Sequence, residues 1–90
     1  MGTMKKTISS QSYYELVQWL KAERIQAELT MRELGARLGA PHTFVQKTET
    51  MERRLDVAEY VAYCQALGVN PEDGIRLITT IDKALWPAKG

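Results

Sequence analysis

The chain has 90 residues, 44% of them hydrophobic and 26% charged, with a formal net charge of +1. This length suits one small domain, and the composition excludes a disordered or low-complexity chain. The single cysteine, Cys64, excludes an intrachain disulfide and a cysteine-cluster metal site, and a reducing cytoplasm is the expected setting. No stretch reads as a signal peptide or a membrane span.

Residues 1–9 show no helical period, and residues 1–11 are expected to form a flexible N-terminal arm, with residues 1–3 lying ahead of a native start at Met4. Ser12-Tyr13-Tyr14-Glu15 has the spacing of a capping box, so a first helix is expected over residues 13–27. Leu16, Val17, Leu20, Arg24 and Ala27 recur at helical spacing and mark its inward face. Arg24 is a charge on that face. It either snorkels to water or pairs with an acid, and Glu49 is the candidate partner.

Thr30 to Glu49 reads as two short helices meeting at a tight corner. Thr30 and Glu33 have capping-box spacing, Leu34 and Leu38 share a face, and Gly39 follows as a C-cap. Gly35 lies beside that face, where a side chain would hold a neighbouring helix away. Pro41 suits the first turn of the next helix, because its missing N–H would have had no partner there. Phe44, Val45 and Thr48 form the inward side of that helix. His42, Thr43, Gln46 and Lys47 face out, and all four carry hydrogen-bonding groups with no acid among them. Such a helix, set across another, can enter the major groove of DNA and read base edges. The plainer reading is a solvated helix face in a bundle.

Arg53 and Arg54 follow at once and are placed to lie along a phosphate backbone. Asp56 caps a fourth helix with a buried stripe of Val57, Tyr60, Val61, Cys64 and Leu67, ended by Gly68. Asn70-Pro71-Glu72-Asp73 starts a fifth. Ile75, Ile78 and then Ile81 or Leu85 continue an apolar edge. The surplus of Leu77 and Trp86 suggests a homodimer built on Ile78, Ile81, Leu85 and Trp86. Charge is uneven along the chain. Residues 30–54 hold five basic and three acidic side chains, whereas residues 55–90 hold three basic and five acidic. The positive end is the end with the corner, as a nucleic-acid footprint would be.

These residues carry a resemblance. Leu29, Thr30, Glu33, Leu34, Leu38, Gly39 and Glu49 match the Cro/repressor-type helix-turn-helix of the XRE family. So do the runs 44–49 and 52–57, and Ala66 to Pro71 matches its fourth-to-fifth helix junction. The resemblance covers about residues 12–78. It implies an all-α, compact five-helix domain of the lambda-repressor-like type over residues 12–85, with 86–90 as a tail. It also implies a sequence-specific regulator, a repressor, that binds palindromic double-stranded DNA as a homodimer. In that pattern His42, Thr43, Gln46 and Lys47 read bases, and Arg24 and Glu49 form a structural ion pair; Arg53 and Arg54 are phosphate contacts by their place after the corner. Three positions depart from it. Met31 stands where a DNA-touching glutamine is usual, with Arg32 beside it as a substitute phosphate contact. Met51 replaces a frequent glycine, so the left-handed cap there is expected to be missing. Thr48 replaces a more apolar residue and is expected to loosen the packing slightly.

Catalysis is not expected. His42 is the only histidine, without a triad acid beside it, and no zinc spacing, phosphate loop or carboxylate pair is present. No cofactor, metal or small-molecule effector is predicted. The alternative function is an antitoxin that binds a toxin protein and its own promoter. A phage or restriction–modification operon would be equally compatible settings.

Overall fold

In a computed structural model, residues 2–81 are described, with side chains described for 11–80. Five helices follow in order: α1 (Gly2–Gln26), α2 (Met31–Leu38), α3 (His42–Glu49), α4 (Val57–Leu67) and α5 (Pro71–Ile81). Among the described residues there is no strand. The fold is all-helical and compact, as the sequence predicts.

α1 begins at Gly2, well before the expected start at Tyr13. The reason is local. No glycine or proline interrupts the chain between Thr3 and Gln26, and an absent hydrophobic period argues against burial, not against helix. Ser12 is accordingly a buried residue within the helix and not its cap.

The other starts are set by side chains. Thr30 accepts from the Glu33 N–H at 3.0 Å while the Glu33 carboxylate accepts from the Thr30 N–H at 2.8 Å. Asp56 and Glu59 form the same reciprocal pair at the start of α4. Pro41 is the residue just before α3, one place earlier than expected, and α3 has no side-chain cap. Pro71 does occupy the first position of α5, and Asn70 Oδ1 accepts from the Glu72 N–H at 2.9 Å.

The core is drawn from four helices. Leu16 and Leu20 of α1, Leu34 of α2, Val45 of α3, and Tyr60, Tyr63, Cys64 and Leu67 of α4 form one buried cluster. Removing a side chain such as Leu20 to alanine would cost about 2–5 kcal/mol through lost transfer energy and a residual cavity. The expected α4 stripe needs correction at one end. Val57 is 81% exposed, and Tyr63 is buried in its place. Both sets fit helical spacing, and the neighbours of α4 select the face centred on Tyr60, Tyr63 and Cys64.

Two glycines set helix–helix distances. A Cβ on Gly35 would lie 2.8 Å from the Ala40 carbonyl oxygen and 3.3 Å from His42 Cα, so the close approach of α2 to the start of α3 requires glycine. Gly74 is buried where α5 crosses α1. A Cβ there would meet Leu16 Cδ1 and the Trp19 ring at 2.8 Å and would press on the Tyr60 hydroxyl, which donates to the Pro71 carbonyl at 2.6 Å.

Candidate nucleic-acid interface

α2 and α3 are joined by residues 39–41, with Gly39 left-handed at φ 70°. Gly39 N–H donates to Ala36 O at 3.1 Å and Ala40 N–H to Gly35 O at 2.8 Å, which closes the last turn of α2. α3 then buries Val45 and Thr48 completely and Phe44 in part. Thr48 is buried, and its hydroxyl has a partner. It donates to the Phe44 carbonyl at 2.7 Å, so the buried oxygen is satisfied within the helix.

On the opposite side His42, Thr43, Gln46 and Lys47 are all exposed. Their positions i, i+1, i+4 and i+5 make a single stripe along the helix. The stripe is held at its far end. Glu49 is buried, and Arg24 reaches it from α1 with Nε to Oε2 at 2.6 Å and Nη2 to Oε1 at 3.1 Å. A third bond runs from Arg24 Nη1 to the Leu29 carbonyl at 2.7 Å. The two side chains are only 11% and 3% exposed. The Glu49 hydrogen bond raises the Arg24 pKa above its ordinary value, with burial acting against it. The end of α1, the α1–α2 turn and the end of α3 thus share one guanidinium. Tyr63 is packed behind this pair, and burial together with the Glu49 charge raises its phenol pKa, so it stays neutral.

The turn after α3 differs from expectation. Met51 adopts the left-handed conformation at φ 68°, so the cap is present although no glycine occupies it. Met51 N–H donates to Thr48 O at 3.1 Å and Glu52 N–H to Lys47 O at 2.8 Å. Arg53 makes a two-pronged contact with Glu59, each distance 3.2 Å, and lies over the Phe44 ring at 4.6 Å from its centroid. Arg54 is exposed and lies over the Tyr13 ring, also at 4.6 Å. The Tyr13 hydroxyl accepts from the Leu55 N–H at 3.1 Å. Arg32 is exposed at the start of α2, and Arg37 donates to the Ala66 carbonyl at 2.9 Å.

Sequence reasoning missed Tyr13, Glu59 and the platform role of Phe44. The Asp56-x-x-Glu59 spacing was a usable signal for Glu59, since it is a capping box. Nothing local marks Tyr13, because its contacts are made across 42 positions of sequence. Of the expected dimer residues, Ile78 is half-buried against the core, while the Ile81 side chain, Leu85 and Trp86 lie outside the described residues. Among the described side chains of α5, Ile75 is exposed, at 52%. Among the described residues no group of three or more His, Cys, Asp or Glu side chains could hold a metal ion, and no helix is long and apolar enough to cross a membrane.

No family model matches the chain, and no curated protein matches it. A solved structure does. It is an XRE-family like protein from Pseudomonas syringae pv. tomato str. DC3000, 40% identical, with a TM-score of 0.81. The match covers 86% of this chain and 94% of that one.

Proposed function

The chain belongs to the XRE family, and from that premise we propose that it is a cytoplasmic, sequence-specific DNA-binding transcriptional regulator. It acts as a repressor and binds a palindromic operator as a homodimer, with two α3 helices in successive major grooves roughly 34 Å apart. One observation carries the reading. α3 presents an acid-free stripe of four hydrogen-bonding side chains, and that stripe is fixed at one end by Gly35 packing and at the other by the Arg24–Glu49 pair.

Within this proposal His42 and Thr43 contact bases from the first turn of α3. Gln46 is suited to a bidentate contact with adenine, and Lys47 to guanine or phosphate. Arg32 and Arg54 are exposed cations, one in the first turn of α2 and one after α3, and neutralise phosphates. Arg53 can join them without giving up Glu59, because that carboxylate takes only two of the five N–H groups of a guanidinium.

Selection from a random DNA pool, followed by titration of the winning site at two salt concentrations, tests the reading. The expected result is an enriched palindrome, bound far more tightly than random DNA and losing affinity steeply as salt rises. Weak binding with no enriched sequence would overturn it and point to a protein partner instead. Gln46→Ala should relax base preference, while Arg54→Ala should weaken all sequences alike. Equal loss of discrimination from both would refute the division of roles.

A further inference from the structure

Tyr13 stands outside the exposed stripe of α3, yet it makes two contacts with the turn that follows α3. Its hydroxyl accepts from the Leu55 N–H, and its ring carries the Arg54 guanidinium. One side chain of α1 therefore grips both the backbone and a cation of the same turn. The two cations of that turn are held differently. Arg53 is half-exposed and paired with Glu59, whereas Arg54 makes no ion pair among the described residues and is exposed.

The physical consequence follows from the cost of ordering. A surface arginine loses rotamer freedom when it binds a phosphate, and a guanidinium already resting on a ring has given up much of that freedom beforehand. A ring-face contact also leaves the charge un-neutralised, because the ring contributes a quadrupole and no counter-charge. Arg54 is thus both restrained and still fully cationic, as a preorganised anion contact must be.

The geometry points to Tyr13 as a positioning residue for DNA binding. It fixes the turn between α3 and α4 and presents Arg54 to a backbone phosphate beside the recognition helix. This rests on the reading of α3 as the DNA-facing helix.

The test is a double-mutant cycle on the selected operator, read by fluorescence anisotropy across a salt series. Four proteins are compared: wild type, Tyr13→Leu, Arg54→Gln and the double variant. Arg54→Gln should reduce the slope of log K against log salt by roughly 0.9 for each phosphate that the variant no longer neutralises. Tyr13→Leu should weaken binding about two- to fivefold, the range for an exposed cation–π interaction. It should have little further effect once Arg54 is glutamine. An unchanged salt slope in Arg54→Gln would overturn the proposal. So would a Tyr13→Leu effect of the same size in both backgrounds. Tyr13→Phe keeps the ring and removes the hydroxyl, and it should speed hydrogen exchange at the Leu55 amide while leaving the α2 amides unchanged. No change at Leu55 would overturn the grip on the turn, even if Tyr13→Leu fails to fold. Wild-type protein that binds no DNA would overturn the DNA reading together with this proposal. Wild-type binding with an additive cycle would overturn this proposal alone.

Discussion

Arg24 and Glu49 tie the end of α3 to the end of α1. A buried ion pair contributes little net stability against an apolar pair, but breaking it is costly because one charge is left in a low-dielectric site. Arg24→Ala would leave the Glu49 carboxylate nearly buried and also orphan the Leu29 carbonyl bond. The expected loss is about 3–5 kcal/mol, read from the denaturant midpoint. Replacing both charges, as Arg24→Met with Glu49→Leu, should recover much of it. A single variant as stable as wild type would show that the pair carries no such load. Glu59 is a milder case with a pH signature. The Arg53 hydrogen bond, then the Asp56 N–H, hold its pKa below the ordinary glutamate value of 4.5. A depressed folded value means the contribution is present above 4.5 and is lost as pH falls through the folded value. Glu59→Gln should therefore melt lower than wild type at neutral pH, and the difference should close in acid as the pH falls through the depressed folded value. A gap in melting temperature that persists unchanged into acid would mean the charge is not the source.

At the scale of the helix, four C-termini end with the same pair of backbone bonds, but only two of them end in glycine. α2 and α4 use Gly39 and Gly68, both left-handed. α1 and α3 place Glu28 and Met51 in that conformation, at φ 60° and 68°. At the end of α1 the Glu28 N–H donates to Ile25 O and the Leu29 N–H to Arg24 O, the same pattern as at Gly39 and Ala40. A side chain in the left-handed region costs about 1–2 kcal/mol, so Glu28→Gly should raise stability by about 1 kcal/mol after the entropy of glycine is counted. Glu28 is exposed, so the variant gives up no packing, and a lower melting temperature would contradict the strain. The contrast also shows what could be read beforehand. Gly39, Gly68, Thr30, Asp56 and Pro71 announce their helix boundaries because the backbone chemistry there is local. Glu28 and Met51 do not, because tertiary contacts force a conformation their residue types disfavour. Val57 and Tyr63 were exchanged for a related reason. Helical spacing fits both, and only the position of α1, α2 and α3 around α4 decides which side is buried. The stripe of α3 was legible because its inward residues Val45 and Thr48 define the face opposite, whereas the Tyr13 and Glu59 contacts to Arg54 and Arg53 were not.

For the whole molecule the net charge of +1 is small, so in the proposed function attraction to phosphates has to come from where charges sit, and specificity from the base contacts. The basic excess falls within residues 30–54, which include α3, and the acidic excess falls within residues 55–90 of the sequence. In the proposed function one such domain presents one recognition helix, α3, of eight residues, and that is short for a unique site. Two copies on a palindrome double the readout and lock the spacing, because both helices must meet the same groove face roughly one helical turn apart. The homodimer in the proposed function therefore has a sharp geometric consequence. Inserting about five base pairs, half of a 10–10.5 base-pair turn, between the half-sites would carry the second half-site to the far side of the duplex. Affinity should then fall to that of a single half-site, about a hundredfold or more below the intact palindrome if the two halves act as one unit. Titration of both sites under the same salt checks this directly. Equal affinity for the two would mean that each copy binds alone, and the dimeric part of the proposal would fall while the reading of α3 stood.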